Sequence, residues 1–434
     1  MKIFIETLGC PKNFNDSEVA AGILEAEGFN ITDDLMQADA VIVNTCGFIN
    51  DAKTESIATI FDYAQFEDKL LIVSGCLSQR YGDELFNEMP EVDIFLGVNE
   101  YDKLPDILKN HQEGKREKYL SQYENELETD KRRLADNHYT ATIKISEGCD
   151  NKCAYCVIPK IRGPYRSRPM ENIIKEAKSL ADKGVKELIL IAQDVTTYGI
   201  DIYGKYNLHE LVKELCKIDG IHWIRLMYCY EDRITDELIE VMATEAKVCN
   251  YLDIPIQHGS DNVLKAMKRR STRDSIDNTI IRLRKAMPDI AIRTTLIVGF
   301  PGETEADFDE LYDFVDETKF QRLGIFAYSQ EEGTVAAEMD NQMDEDIKEE
   351  RKDAIMRRQM EISREYNESL IGNTIEVLIE GKDEDGVYIG RSQYDAPEID
   401  NQVIIKSNKE HNPGDFIMVE IYDAYDYDIV GREI

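Results

Sequence analysis

Three cysteines at spacings of four and three residues, Cys149, Cys153 and Cys156, form the strongest chemical signal in the sequence. A short loop with three thiols can surround one corner of an iron–sulfur cubane, and no fourth cysteine stands nearby. A structural zinc site takes four ligands, and a closed four-iron cluster takes four thiolates. Three thiolates leave one iron open to bind another molecule. Zinc with a distant fourth ligand such as His258 is the alternative for this loop.

Three further cysteines, Cys10, Cys46 and Cys76, are spread through the first hundred residues. Because they come first in the chain, they are called the first set, and Cys149, Cys153 and Cys156 are called the second set. Each cysteine of the first set follows a short apolar run typical of a buried strand, at intervals that fit successive strand–helix units. The C-terminal ends of parallel strands share one edge of a sheet, so these cysteines are expected to converge. A second three-thiolate cluster with an open iron is the functional interpretation. Three buried structural cysteines are the alternative.

The complete set of nine cysteines favours metal binding or catalysis over a disulfide framework. Cys216, Cys229 and Cys249 are isolated and are predicted to be packed in the core. The segment Met1–Glu6 enters a strand pattern instead of a secretory signal, and no apolar run reaches the ~18 residues of a membrane span. The sequence therefore predicts a cytoplasmic protein without a membrane partner.

The elements that must position these cysteines are predicted to form an α/β multidomain protein. Residues 1–110 alternate apolar strands with helices, which predicts a parallel sheet covered on both faces. The first helix is expected to begin at Asp16-Ser17-Glu18. Residues 111–138 are highly charged and are interpreted as a linker or an edge excursion between domains.

Residues 139–370 contain six strand–helix units, which predict a partial (βα)6 barrel. Its strands are expected over residues 140–145, 187–192, 223–226, 251–256, 290–298 and 322–326. The loop that carries Cys149, Cys153 and Cys156 follows the first of these strands, at the end where barrel enzymes carry out chemistry. A charged helix over 344–370 is expected to be a solvated connector. Residues 371–434 show short strands without a helix, which predict a small antiparallel β-barrel.

Charge constrains the partners of the chain. Acidic residues number 86 against 51 basic ones, so the net charge is −35. The last 63 residues hold 15 acidic and five basic side chains, a net charge of −10. Such a surface repels a phosphate backbone and favours a basic protein over nucleic acid. Tyr422, Tyr425 and Tyr427 interleave with these acids. Simple solubility, with the tyrosines in the core, is the alternative.

Other polar groups lie near the predicted mouth of the barrel. Lys160, Arg162, Arg166 and Arg168 form a basic stretch just after the cysteine loop. In an acidic protein, such a stretch could hold a carboxylate of a cofactor or a substrate, and a solvated face is the alternative. His258 follows a strand and is interpreted either as a site residue or as a satisfied structural histidine.

The Cys-x3-Cys-x2-Cys spacing resembles the signature of the radical S-adenosylmethionine (SAM) superfamily. This resemblance implies that the open iron of a [4Fe-4S] cluster chelates SAM. One electron would then yield a 5′-deoxyadenosyl radical, which abstracts hydrogen from an unactivated carbon. It also implies that Tyr155 lies against the adenine. Polar groups at the strand ends, Glu147, Gln193 and Arg293, are the further candidates for binding SAM.

The whole chain is similar to the methylthiotransferase family, in which a three-cysteine domain, a radical SAM core and a TRAM-type barrel follow in that order. The residues that carry the resemblance are Glu6–Asn13, Asp16–Glu18, Asn44–Ile49, Ile158-Pro159, Arg162-Gly163, Asp253–His258, Arg293–Thr295 and Val298–Glu303. The segments Gly9–Asn13 and Cys46–Ile49 resemble the RimO branch, which modifies an aspartate of a small-subunit ribosomal protein near the decoding centre.

The resemblance implies a division of labour between two [4Fe-4S] clusters. The Cys149/Cys153/Cys156 cluster would generate the radical, and the Cys10/Cys46/Cys76 cluster would carry the sulfur inserted at the aspartate β-carbon. SAM would serve as methyl donor and as radical source, with a one-electron reductant such as flavodoxin or ferredoxin. The alternatives are a MiaB-like enzyme that modifies adenosine in tRNA, and a non-catalytic iron–sulfur carrier or redox sensor.

Overall fold

A computed structural model describes residues 1–121, 131–134 and 138–434. The first unit consists of six strands and four helices: β1 (Lys2–Thr7), α1 (Pro11–Ala26), β2 (Asn30–Ile31), β3 (Ala40–Thr45), α2 (Asn50–Ala64), β4 (Leu70–Gly75), α3 (Cys76–Glu88), β5 (Ile94–Leu96), α4 (Leu104–Asn110) and β6 (Glu117–Tyr119). All neighbouring strands are parallel, in the order β2-β1-β3-β4-β5-β6. Separate apolar clusters bury the two faces, as predicted for a parallel sheet.

The central unit is an open six-stranded parallel sheet with its helices. Its elements are β7 (Thr140–Lys144), β8 (Ser146–Glu147), α5 (Ile158–Arg162), β9 (Arg166–Ser167), α6 (Met170–Asp182), β10 (Glu187–Ile191), α7 (Ile200–Tyr203), α8 (Leu208–Cys216), β11 (Trp223–Leu226), α9 (Asp236–Thr244), β12 (Val248–Gln257), α10 (Asp261–Ala266), α11 (Arg273–Ala286), β13 (Ala291–Val298), α12 (Glu305–Thr318), β14 (Arg322–Ala327) and α13 (Glu345–Ser369). The sheet order is β7-β10-β11-β12-β13-β14, which confirms the predicted partial barrel. Strands β8 and β9 form a small antiparallel pair beside it.

The last residues form a closed five-stranded barrel with the strands β15 (Thr374–Lys382), β16 (Tyr388–Ser392), β17 (Val403–Lys406), β18 (Phe416–Ala424) and β19 (Ile429–Glu433). Four strand pairs are antiparallel, and the pair β17–β19 is parallel. The small barrel expected from the sequence is therefore present, with one parallel seam. None of the helices in the described part of the chain has the length and apolar character needed to cross a membrane.

Two local expectations, the start of α1 and the exposure of α13, differ from the structure. Helix α1 begins at Pro11 and not at Asp16, because proline favours the first turn of a helix and Cys10 occupies the N-cap. Within the stretch 111–138, β6 is an edge strand of the first sheet, while the parts of the linker prediction that fall on 122–130 and 135–137 lie outside the described residues.

Helix α13 is not a solvated connector. It packs against β14 and α12 and buries seven residues, among them Arg351 and Gln359. Their polar ends are paired, since Arg351 contacts Glu303 and the Gln359 side chain donates to the Phe320 carbonyl at 2.9 Å. Paired polar groups thus allow a helix of low hydropathy to bury one face, which periodicity of apolar residues does not reveal.

The two faces of the central sheet have different partners. Leu188 and Leu190 of β10 belong to the main core with the helices. Ile189 and Ile191 point to the opposite face and join a cluster that includes Leu378 of the C-terminal barrel. The barrel therefore completes the second face of the sheet.

A buried ion cluster holds this barrel against the sheet. Glu187 of β10 accepts a hydrogen bond from Arg225 Nε at 2.9 Å and pairs with Arg391 of β16. All three side chains are at most 2% exposed. Burial acts to raise the pKa of Glu187, but Arg391 and Arg225 outweigh it and lower the pKa to about 2.

We expect Glu187→Gln to destabilise the protein by about 3–5 kcal/mol, because it leaves the buried Arg225 guanidinium without a carboxylate and the Arg391 guanidinium with Glu380 alone. Chemical denaturation followed by tryptophan fluorescence measures the loss. Lys382→Gln is the control, since it breaks the exposed pair of Lys382 with Glu410 on the same barrel and should cost less than about 1 kcal/mol. Equal stability of the two variants would contradict a structural role for the ion cluster.

Candidate functional site

The cysteines of the first set follow three strands of one parallel sheet. Cys10 is the N-cap of α1, Cys46 directly follows β3, and Cys76 is the first residue of α3. Cys46 and Cys76 are buried, and Cys10 is half-buried. Cys10 and Cys76 therefore both stand at helix N-termini, at the edge of the sheet where its strands end.

Asn13 connects the three loops that carry the first set. Its Nδ2 donates to the Leu8 carbonyl at 2.9 Å and to the Thr45 carbonyl at 3.0 Å, in the chain just before Cys10 and Cys46. Its Oδ1 lies 3.7 Å from Cys76 Sγ. One amide side chain thus binds all three loops, and the predicted convergence of the cysteines has an identifiable cause.

The loops approach each other so closely that Gly9 has no room for a side chain. Gly9 adopts φ of +92°, and a Cβ there would lie 2.7 Å from Cys46 Cβ and 3.0 Å from Cys46 Sγ. A residue with a side chain would therefore meet both backbone strain and a steric overlap. Gly9 is therefore required because Cys46 packs directly against its Cα.

The second set lies on the loop after β8, close to the C-terminal end of strand β7 of the central sheet. The loop is fixed at several points: Cys149 N donates to the Gly163 carbonyl at 3.0 Å, and Ala154 N donates to the Met267 carbonyl at 2.9 Å. Tyr230 OH lies 3.2 Å from Cys153 Sγ, and Asn151 Nδ2 lies 3.4 Å from Cys149 Sγ. Polar side chains of neighbouring strand ends therefore surround these thiols.

A cavity of about 390 Å³ opens beside Cys153 and is bordered by Tyr230 and Arg269. The guanidinium of Arg269 lies over the Tyr230 ring at 4.2 Å and pairs with Glu231 at 3.0 Å. Arg233 pairs with a neighbouring carboxylate, Asp194. The cations at this edge of the cavity are thus held in place by carboxylates of the same unit.

The two cysteine sets meet at a buried ion network between the first and central units. Asp16 of α1 is 0% exposed and binds two cations of the central unit: Arg162 Nη1 donates to it at 2.7 Å, and Lys144 donates to its other oxygen. Arg162 Nη2 donates to Asn13 Oδ1 at 2.9 Å and lies 3.4 Å from Cys76 Sγ. Burial acts to lower the pKa of Arg162, but Cys76 and Asp16 outweigh it and raise the pKa, so the guanidinium stays charged.

Arg162 belongs to the segment that leaves the second set, because α5 begins two residues after Cys156. Val157 and Ile161 of this segment share an apolar cluster with Cys76. A second connection is the segment after β11, where Tyr230 contacts Cys153 and the Tyr228 ring lies 3.5 Å from Nζ of Lys12, two residues after Cys10. Both cysteine sets therefore border one junction between the two units.

The predicted SAM-binding residues lie around the second set. Glu147 bonds Lys144 at 2.9 Å and Gln193 at 2.8 Å, and the amide oxygen of Gln193 is buried without a partner among the described residues. Burial acts to raise the pKa of Glu147, but Lys144 and Arg162 outweigh it and lower the pKa. Tyr155 is half-buried beside an apolar cluster that contains Phe300 and Tyr328.

Arg293 is already engaged by two carboxylates. Its guanidinium pairs with Asp253 at 3.0 Å and with Asp400 of the C-terminal barrel at 3.3 Å. Burial acts to lower its pKa, but Asp253 and its other acidic neighbours outweigh it and raise the pKa. Arg293 lies within β13, paired in register with Asp253, so it links the interior of the sheet to the C-terminal barrel and not the strand end next to the cysteine loop.

The basic stretch after the cysteine loop is not one solvated face. Arg162 is buried at the junction described above, and Arg168 pairs with Glu176 at 2.8 Å. His258 is 0% exposed, and its Nδ1 accepts a hydrogen bond from Ser260 N at 3.0 Å. Cys229 and Cys249 are buried and Cys216 is half-buried, as predicted for packed cysteines.

Sequence reasoning missed Asn13, Asp16 and Tyr230. Asn13 and Asp16 stand within segments that carried the family resemblance, but no role was assigned to either. The sequence offered one weak signal for Tyr230: this residue follows β11, at the same end of the sheet as the other polar groups. The partners of Asp16 and Tyr230, Arg162 and Cys153, lie more than 70 residues away in the chain.

The donor chemistry of both sets suits an iron–sulfur cluster. Burial raises the pKa of Cys46 and of Cys149 to about 11, so binding of iron must displace the thiol protons. Among the described residues, no three His, Cys, Asp or Glu side chains are placed to hold a single metal ion. Each set supplies three thiols, the ligand type that an iron–sulfur cluster takes from a protein.

Three family models match the chain. The Radical SAM superfamily matches residues 143–315, the Uncharacterized protein family UPF0004 matches residues 2–97, and the TRAM domain matches residues 371–434. The first covers the second cysteine set, the second covers the first set, and the third covers the C-terminal barrel.

Curated relatives are similar over nearly the whole length. A protein of Clostridioides difficile (strain 630), named ribosomal protein uS12 methylthiotransferase RimO, is 51% identical over 99% of this chain and 98% of its own. Proteins of the same name from Acetivibrio thermocellus and Lachnoclostridium phytofermentans are 50% and 48% identical. They cover 100% and 99% of this chain, and 98% and 99% of their own length.

Solved structures share the fold at low identity. The radical SAM methyltransferase TsrM from Kitasatospora setae has a TM-score of 0.57 at 14% identity, over 75% of this chain and 72% of that chain. The cobalamin-dependent radical SAM enzyme OxsB has a TM-score of 0.51 at 12% identity, over 82% of this chain and 56% of that chain.

We expect Gly9→Ala to prevent the first cysteine set from assembling. The added Cβ would overlap Cys46, so the loop of Cys10 must move away from the other two loops. Iron bound after anaerobic reconstitution should fall by about four atoms per chain, the content of one [4Fe-4S] cluster. Iron analysis and the visible absorption of the reconstituted protein measure this loss.

Gly28→Ala is the matched control for Gly9→Ala. Gly28 has a similar φ of +89° with nothing within 4 Å of its Cβ position. Gly28→Ala therefore adds the backbone strain of ~1–2 kcal/mol without a steric overlap. This variant should bind as much iron as the wild type. The same iron content in both variants would show that the approach of Gly9 to Cys46 is not needed.

Proposed function

The chain belongs to the RimO branch of the radical SAM methylthiotransferase family, and we propose that it transfers a methylthio group to the β-carbon of an aspartate in ribosomal protein uS12. Membership rests on identities of about 50% over nearly the full length of relatives with that name. The same identities favour this activity over tRNA modification and over a non-catalytic iron–sulfur carrier.

The convergence of two three-cysteine sets on one junction is the observation that carries the proposal. Sulfur insertion into a C–H bond needs a radical source and a sulfur source within reach of the same carbon atom. The contact of Arg162 with Cys76, and that of Lys12 with Tyr228, join the segments that carry the two sets. This arrangement supports a two-cluster enzyme.

We propose that Cys149, Cys153 and Cys156 hold one [4Fe-4S] cluster and that Cys10, Cys46 and Cys76 hold another. When bound, the clusters supply the electron that cleaves one SAM and the sulfur that a second SAM methylates, so the acceptor C–H becomes C–S–CH3 and the hydrogen leaves in 5′-deoxyadenosine. The electron comes from an external one-electron reductant such as flavodoxin or ferredoxin.

Four residues around the second set are proposed to bind SAM: Tyr155, Glu147, Gln193 and Arg293. The Tyr155 ring offers an apolar surface for the adenine. The unpartnered amide oxygen of Gln193 can accept a hydrogen bond from the SAM ammonium group. Glu147 fixes the Gln193 amide, and Arg293 pairs with Asp253 of the adjacent strand β12.

The acidic C-terminal barrel is proposed to bind the basic substrate protein. Tyr422, Tyr425 and Tyr427 are 37%, 56% and 43% exposed, so they are surface residues and not core. Asp423 is exposed beside them, and Asp426 is half-buried. Exposed aromatic rings among carboxylates suit an Arg-rich and Lys-rich partner.

We propose four segments that divide these roles along the chain. Residues 1–110 hold the sulfur-carrying cluster, 111–138 are the connection, 139–370 form the radical SAM core, and 371–434 bind substrate. Since the proposed substrate is a ribosomal protein, the cytoplasm is the compartment in which we propose that the enzyme acts.

We expect the wild type to bind about eight iron atoms per chain and the triple variant Cys10→Ala/Cys46→Ala/Cys76→Ala to bind about four. The variant should still form 5′-deoxyadenosine from SAM and should form no methylthiolated uS12, because only the sulfur-carrying cluster is lost. Iron analysis and mass spectrometry measure the two results.

Cys216→Ala is the control for this experiment, because Cys216 is isolated from both sets. It should keep the iron content and the product of the wild type. About four iron atoms in both the wild type and the triple variant would make the first set structural and would refute the two-cluster assignment.

We expect Asp423→Lys/Asp426→Lys to weaken uS12 binding by about tenfold, mainly through a slower association rate, because two favourable charges become repulsive. Surface plasmon resonance at two salt concentrations measures the change. Asp33→Lys/Glu67→Lys makes the same charge change on exposed residues of the first unit and should leave binding unaltered. Equal loss in both double variants would mean that only net charge matters.

A further inference from the structure

Lys12 lies at the junction between the two cysteine sets. It follows Cys10 by two residues in the first turn of α1, and its Nζ lies 3.5 Å from the centre of the Tyr228 ring. Tyr228 stands at the end of β11 in the central unit, two residues before the Tyr230 that contacts Cys153. The Lys12 ammonium therefore crosses from the loop of the first set to a segment that also borders the second set.

The ring beneath Lys12 is held in a fixed position. Tyr228 has a φ of 62°, in the left-handed region that residues with side chains rarely adopt. Its N–H donates to Asp253 Oδ2 at 2.9 Å, which retains this backbone conformation. The strained position of Tyr228 thus places an aromatic surface where the lysine of the first unit arrives.

Lys12 makes no ion pair with a carboxylate in the part of the chain that the structure describes, although the cations around it do. Arg162 and Lys144 share Asp16, and Arg293 pairs with Asp253. Both carboxylate oxygens of Asp253 already accept a hydrogen bond, one from Arg293 and the other from the Tyr228 N–H.

The contact with an aromatic ring leaves the hydrogen-bond donors of Lys12 available. A cation over a ring is attracted to its face, but the ring carries no net charge to neutralise it. The ammonium group has three N–H donors, and Lys12 is half-buried, so a small ligand can still reach it. In a chain with a net charge of −35, an unneutralised cation at this junction is suited to an incoming anion.

We propose that Lys12 binds the carboxylate of the acceptor aspartate and thereby selects an acidic side chain as the substrate. This inference rests on the proposed function. In aspartate, the β-carbon that reacts is bonded directly to the carboxyl carbon, so an ion pair at the carboxylate fixes the C–H bond between the two cysteine sets. Asparagine has the same shape but presents a neutral amide, whose single acceptor oxygen carries no net charge to pair with the ammonium group.

Binding of two peptides tests this role. One is the uS12 segment with its acceptor aspartate, and the other carries asparagine at that position. Affinities are measured by fluorescence anisotropy with the reconstituted enzyme and SAM, with the reductant withheld so that no turnover occurs. We expect the wild type to bind the aspartate peptide about tenfold or more tightly than the asparagine peptide.

Lys12→Gln should bind the two peptides alike, and Lys12→Arg should keep much of the preference because it restores the charge. Lys178→Gln, at an exposed lysine of α6, is the matched control and should discriminate as the wild type does. Iron content and SAM affinity should be the same in all four proteins. With reductant present, Lys12→Gln should form more 5′-deoxyadenosine per methylthiolated peptide, because the acceptor is no longer held in place.

Three outcomes would overturn the inference. Lys12→Gln could keep the wild-type preference for the aspartate peptide, or it could lose affinity for SAM instead of for the peptide, which would place Lys12 at the SAM carboxylate. The wild type could also methylthiolate the aspartate peptide while binding both peptides equally, which refutes the inference and leaves the proposed function intact. A wild type that neither binds nor modifies the aspartate peptide would refute both.

Discussion

The buried carboxylate of Asp16 is the constraint on which the arrangement of the two cysteine sets depends. A fully buried carboxylate is stable only with opposite charges and hydrogen bonds around it, and both of its cationic partners come from the other unit. Arg162 can satisfy Asp16 only when α5 lies against α1, and in that position it also reaches Asn13 and Cys76. One charge pair therefore sets the relative position of the loops that carry all six thiols.

The strand ends explain why so much of the site could be predicted from the sequence. Cys10, Cys46 and Cys76 are far apart in the chain, yet parallel strand order brings them to one edge, and strand periodicity is visible in the residues themselves. The Cys149 loop was placed by the same argument. Asp16 and Arg162 were misinterpreted, as a helix start and as part of a basic stretch, because a contact over 146 residues leaves no periodic trace. The burial of α13 was missed for a related reason, since its buried face is made of paired polar groups.

Acidic residues of the C-terminal barrel serve two physically different purposes. Asp395 and Asp400 are buried and pair with Arg322 and Arg293 of the central sheet, where they contribute to the fixed position of the barrel. Asp423 is exposed beside the tyrosines and is available to a partner. The net charge of −10 is therefore not one uniform property, and only its exposed part bears on the substrate.

The face of the central sheet that the barrel covers has a consequence for how the chain is made. Tyr139, Trp223 and Tyr251 lie on that face and pack against Leu378 and Ala396, which are synthesised after them. A nascent chain that stops before residue 371 has an exposed aromatic surface, and Arg322 lacks its carboxylate partner. Such a fragment presents the features that chaperones and proteases recognise. Completion of this interior by the barrel strands thus makes the stability of the central unit depend on the synthesis of the C-terminal barrel.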